Sequence, residues 1–217
     1  MRVFRLGLFL SILGICTLGT VQAQESQNYS KIDLGVGGGF TDAFGRAGSN
    51  VDTGWNVDVR GGYRASRNVA LDLDFNYNRW NLNSAALARY GEPGGYTTIW
   101  SVSFNPVLYG STHWHITPYV LGGPGLYYRN LSLTQPGLIN SFYCDPFFGY
   151  CFPATVGVDQ VVASATTYKM GVNAGAGLEF PLGSSPLKVF GEARYSRMFT
   201  THGNDLTFVP ATFGLRW

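Results

Sequence analysis

The chain has 217 residues, of which 13% are charged, 29 are glycine and 33 are Phe, Tyr or Trp. It is too apolar and aromatic for a disordered chain, and its glycines follow no collagen-like period. The formal net charge of +2 falls to zero if Arg2 and Arg5 are removed with the N-terminus, so no basic footprint for nucleic acid is left.

Residues 1–23 read as a secretory signal. Arg2 and Arg5 come first, an apolar stretch covers residues 6–15, and Val21, Gln22 and Ala23 form a small-residue cleavage site. The stretch is shorter than the roughly 20 residues of a membrane-spanning helix, and no other run approaches that length. Lipid anchoring at Cys16 is the competing reading. The bulky Ile15 before that cysteine disfavours it, so ordinary cleavage is expected to leave one domain over residues 24–217.

From there the sequence alternates repeatedly between apolar and polar residues, the period of strands with two unlike faces. Residues 32–40 alternate Asp33 and glycines with apolar positions. In residues 55–64, Trp55, Val57, Val59 and Tyr63 oppose Asn56, Asp58, Arg60 and Arg64. Residues 69–78 are the clearest case, with Leu71, Leu73, Phe75 and Tyr77 against Asp72, Asp74, Asn76 and Asn78. Residues 100–108 follow, and then residues 117–129, which are apolar on both faces and whose sides stay unassigned. In residues 168–180, Tyr168, Met170, Val172 and Leu178 oppose Lys169, Asn173 and Glu179. Residues 187–196 carry Lys188, Glu192 and Arg194 on one face, with Phe190 as an intruder. The chain closes with Val209, Ala211, Phe213, Leu215 and Trp217 against Thr212, Gly214 and Arg216.

Short links (residues 65–68, 110–115 and 181–185) alternate with long ones (41–52, 79–95, 132–163 and 198–206). The expected fold is therefore all-β, an eight-stranded antiparallel up-and-down transmembrane β-barrel with both termini at the short-turn end. Pro118 and Pro210 sit near strand starts. Pro106 and Pro124 lie deeper, and residues 122–125 (Gly-Gly-Pro-Gly) suggest a bulge.

The polar parity carries Asp33, Asp58, Asp72, Asp74, Glu179 and Glu192 together with Arg60, Lys169, Lys188, Arg194 and Arg216. A basic residue facing lipid at the bilayer midplane costs about 2–4 kcal/mol, so in a membrane these groups must turn inward and pair. Eight strands leave room only for side chains or a small ligand, which implies a plugged polar core. The soluble alternative is a lipocalin-like barrel with the apolar face inward around a ligand. Tyr77, Trp80, Tyr96, Trp100, Tyr109, Trp114, Tyr127, Tyr195 and Trp217 lie near strand ends, where interfacial girdles place aromatics.

These segments resemble the small outer-membrane β-barrels related to the OmpA transmembrane domain. The resemblance is carried by residues 190–195 (Phe-Gly-Glu-Ala-Arg-Tyr), by residues 175–179 (Gly-Ala-Gly-Leu-Glu) and by the ending of residues 209–217. It implies location in the outer membrane of a Gram-negative-type envelope after Sec export. It also implies an assembly signal read by the barrel assembly machinery, with Phe213, Leu215 and Trp217 in the matching positions.

Chemistry is weakly marked. Cys144 and Cys151 form an even pair in an exported chain and read as a disulfide at a loop tip. His113 and His115 flank Trp114 in a short turn without further metal ligands, and His202 lies near Asp205 without a placeable nucleophile. No cofactor, no metal and no catalytic residue is expected. The expected role is envelope-structural or surface-binding, by a monomer embedded in outer-membrane lipid. Its unknown surface ligand would meet the loop of residues 132–163, where Phe142, Tyr143, Phe147, Phe148, Tyr150 and Phe152 are candidate anchors. A narrow pore and a lipid-modifying enzyme are the competing functions.

Overall fold

The computed structural model describes residues 31–111, 116–183, 185–200 and 205–217. The expected signal segment, His113, Trp114, His115, His202 and the side chain of Tyr143 lie outside the described residues. Eight antiparallel strands close a barrel in chain order: β1 (Ile32–Phe44), β2 (Gly54–Arg64), β3 (Val69–Asn81), β4 (Gly94–Tyr109), β5 (Thr117–Cys144), β6 (Cys151–Pro181), β7 (Lys188–Met198) and β8 (Leu206–Arg216). Pairing of β1 with β8 completes the ring, from Gly35 opposite Arg216 to Phe44 opposite Thr207. Just beyond, Leu34 and Trp217 exchange two backbone hydrogen bonds of 2.9 Å.

The alternation decides which face is which. Leu73 (56% exposed), Phe75, Trp100, Phe104 and Phe213 stand on the outer wall, while Asp58, Arg60, Asp72, Asp74 and Arg216 are buried inside. That is the reverse of a lipocalin-like interior. It also assigns β5, whose sequence left its sides open: Tyr119, Leu121 and Tyr127 are buried inside, and Val120 and Leu126 face out.

The largest departure from the sequence reading concerns residues 132–163. They are not a loop but the outer half of a hairpin, with β5 and β6 paired up to Cys144 opposite Cys151. Pro136 and Gly137 interrupt the alternation and suggest a turn. The segment is nonetheless rich in Val and Thr, which favour extended backbone, and Thr155 bonds Asn140 across the pair at 2.9 Å. A register shift between Leu133 and Thr134 breaks the period at the hairpin's root. β4 reaches only to Thr134 on β5, so residues 135–144 run about 33 Å further at roughly 3.3 Å per residue.

Two of the proline expectations also change. The β4–β5 register is the same on both sides of Gly122–Pro124, from Ser103 opposite Gly125 to Val107 opposite Leu121, so there is no bulge. Instead the ladder is interrupted there without slipping, because Pro106 and Pro124 cannot donate to it. Pro210 lies well inside β8 rather than near its start, and the β7–β8 ladder skips there from Ala193–Ala211 to Ser196–Phe208.

The β-carbon of an alanine at Gly123 would lie 1.9 Å from the Phe104 carbonyl oxygen, whereas at Gly157 in the hairpin nothing lies within 4 Å. Gly123→Ala is expected to lower barrel stability by about 1–3 kcal/mol, with Gly157→Ala close to neutral. Urea unfolding of the barrel refolded in lipid vesicles measures both.

Candidate functional site: the barrel interior, its mouth and the long hairpin

The interior is filled in layers. At the short-turn end, Arg216 bonds Asp33 (2.9 Å), Glu179 (2.9 Å) and Asp72, while Arg64 bonds Asp33 at 2.8 Å and Lys188 bonds Glu179 at 3.1 Å. Here three cations meet three carboxylates. The Arg64 guanidinium lies over the Tyr109 ring at 4.3 Å. Arg64 belongs to this layer although it was absent from the charges weighed in the sequence. Its inward parity on β2 was the available signal.

At mid-height a second network joins five strands. Arg60 donates to Asp58 and to Glu192 (2.7 Å), and Arg194 donates to Asp74 (3.1 Å) and Glu192 (2.6 Å). The Tyr119 hydroxyl donates to Glu192 at 2.8 Å, and Asn105 donates to Asp74. Phe190, the apolar intruder of β7, is fully buried here, with the Arg60 guanidinium 4.5 Å from its ring centre. Small residues make the room: a β-carbon at Gly37 would come within 3.0 Å of Phe190, and one at Gly177 within 2.4 Å of Tyr119. Lys169 is half-buried on the inward parity of β6, higher up and opposite Tyr127.

Above the ions, Trp80, Ile99, Tyr127, Met198 and Phe208 form an apolar floor, with Trp80 and Phe208 edge to face at 5.4 Å between ring centres. Trp80, Tyr109 and Tyr127 are therefore interior plugs and not parts of an outer girdle. Their position at strand ends could not distinguish the two faces; their parity could. Tyr77, Trp100, Tyr195 and Trp217 do stand on the outer wall, and Tyr77 and Trp100 pack at 4.4 Å.

Beyond the floor lies an apolar cavity of about 310 Å³ in the barrel mouth. Two long links cover it. Residues 45–53 contain α1 (Gly45–Gly48), and residues 82–93 contain α2 (Ser84–Tyr90), which is started by the Asn83 side chain accepting from Ala86 N–H at 2.9 Å. The links are tied by a Val51–Leu82 bridge, by Asn83 donating to the Ser49 carbonyl (2.9 Å) and by Arg89 donating to Asn50 (3.0 Å).

The hairpin stands outside this mouth. Cys144 and Cys151 are joined as a disulfide, so the hairpin closes through residues 145–150. Phe142, Phe147, Phe148 and Tyr150 are exposed there, Phe147 at 91%. In the last long link, Asp205 accepts from Thr200 N–H and from Arg197. The Thr200 N–H first, and Arg197 next, hold its carboxyl below the ordinary range. A base-orienting role beside His202 would have to compete with those bonds.

The chain belongs to the outer membrane protein beta-barrel domain family, which matches residues 11–217. It is an outer-membrane β-barrel protein. Neisserial surface protein A is similar in structure at 13% identity, with a TM-score of 0.54 over 86% of this chain and 96% of that one. A major outer membrane protein of Thermus thermophilus is similar at 10% identity, with a TM-score of 0.53 over 86% and 97%. Both likenesses concern the fold. A comparison with curated proteins finds no match.

Arg60→Met would leave Asp58, Asp74 and Glu192 sharing the single guanidinium of Arg194. A loss of about 3–5 kcal/mol is expected, as for breaking a buried pair on one side. Arg197→Met, at an exposed pair, should cost no more than about 1 kcal/mol. Urea midpoints of the two variants in vesicles make the comparison.

Proposed function

We propose that this protein is a surface-contact protein, in which the barrel is a closed anchor and the β5–β6 hairpin is the contact element. The observation that carries this reading is the hairpin itself. It projects past its neighbouring strand β4, is clipped by a disulfide and carries exposed aromatic rings at its tip. Aromatic side chains supply much contact area for little lost freedom, and burying them against a partner is favourable.

Two ion layers and an apolar floor favour an anchor over a pore, since a hydrated ion would have to break buried pairs to pass. The reading includes no catalytic step and a single chain per barrel. Residues 1–23 act as the export segment. Phe213, Leu215 and Trp217 form the signal for the assembly machinery; their exposed, lipid-facing side chains on the closing strand and just past its end support that role.

In planar bilayers the protein should show no steady single-channel conductance. Stable unitary steps from the unaltered chain would refute the closed anchor. In intact cells, a photo-crosslinking phenylalanine analogue at position 147 should give discrete adducts. Those adducts should disappear when Phe148 and Tyr150 become serine, while the heat-dependent gel shift of the folded barrel persists. Equal cross-linking from outward position 126 would count against the hairpin as the contact element.

A further inference from the structure

The cavity in the mouth has a chemistry of its own. Most of its lining is apolar, with Trp80, Ile99 and Phe208 beneath and Leu82, Ala86 and Leu131 around it. Its charged lining residues are Arg89 and Arg129, with no acidic residue among them. Arg129 projects inward from β5, half-buried, and donates from Nε to Thr97 Oγ1 at 3.3 Å. Among the described residues no carboxylate lies within ion-pair distance of it. Every interior cation of the two lower layers is paired with a carboxylate. Arg129 differs from them, and its two terminal amino groups can take an anion in the two-pronged geometry that suits a carboxylate.

We infer that the mouth is a binding site for a medium-chain alkyl carboxylate, with the headgroup on Arg129 and the chain in the cavity. The volume sits at the lower end of small-molecule sites, which run from about 300 Å³ upward. It suits a chain of moderate length rather than a two-tailed lipid. A bare inorganic anion would leave the apolar walls uncovered, and a neutral alkane would leave the guanidinium without its counter-charge. Trp80 and Phe208 close the lower side, so the ligand enters and leaves by the mouth and does not traverse the barrel. The two tied links above it, with α2 seating Ala86 over the chain, give the site a roof.

Trp80 is the reporter, because it lines the cavity while Trp55, Trp100 and Trp217 stand outside. The folded full-length barrel in zwitterionic detergent is titrated with 8-bromooctanoate, whose bromine quenches nearby indole fluorescence. Saturable quenching is expected that vanishes in Trp80→Phe but persists in Trp100→Phe. Arg129→Gln should weaken it at least tenfold, and the neutral 8-bromooctanol should bind at least tenfold more weakly than the carboxylate. Retention of the heat-dependent gel shift shows that each variant is folded. Four results would overturn the inference: no saturable quenching by the carboxylate, equal quenching in Trp80→Phe, unchanged affinity in Arg129→Gln, or equal affinity for the alcohol. A protein that binds the carboxylate this way but gives no cross-link from position 147 keeps this site and loses the contact function, so the two readings fail separately.

Discussion

The fold depends on one constraint: an arginine set at mid-height or below in the wall of this membrane barrel has to face away from hydrocarbon and meet a carboxylate. Arg60, Arg194 and Arg216 each do so with two or more acids, at least one of them on another strand. Because the partners come from different strands, the pairing fixes register as well as charge. A slip of one residue along β2 would turn Arg60 and Asp58 to the outside and Val57 and Val59 to the inside. The ionic interior and the lipid-facing exterior are thus one arrangement seen from two sides.

The consequences run through the rest of the interior. A guanidinium and its acids, with an aromatic ring stacked on it, need more room than an eight-stranded ring offers if every inward position carries a side chain. The inward glycines of β1 and β6 supply that room for Phe190 and Tyr119. Where the ions end, aromatic rings take over as filler, so the section above mid-height is closed by Trp80 and Phe208 rather than by charge. The hairpin obeys none of these demands. It stands clear of the ring, is held by its own ladder and disulfide, and is free to carry residues that the barrel could not use.

The parity of β2, β3, β6 and β8 was open to reading from the sequence, because lipid on one side and ions on the other impose opposite chemistry on adjacent residues. Three things were hidden for the same reason. Phe190 and Trp80 are apolar yet inward, because a stacked cation or a second ring solvates them as lipid would. The sides of β5 stayed unassigned because Tyr119, Leu121 and Tyr127 serve inside as fillers while Val120 and Leu126 serve outside. The hairpin looked like a loop because both of its faces meet water, so no alternation was required of it. The mouth could not be found from sequence at all. Pairing of β4 with β5 brings Arg129 to Thr97, but Ala43 of β1 and Phe208 of β8 come to the same cavity only when the ring closes.

The edges of that hairpin set a condition on its surroundings. Beyond Met170 towards the tip, β6 has left β7 behind, and among the described residues no other strand pairs along the far edge of residues 154–166. That stretch holds a single charged residue, Asp159, and neither lysine nor an interrupting proline. Open amide and carbonyl groups in such a row are a template for any extended chain of matching length. Crowded in a membrane plane, two such molecules with hairpins at equal height have matching templates side by side. A barrel that is to stay a single chain therefore has to keep that bare backbone from a neighbour's.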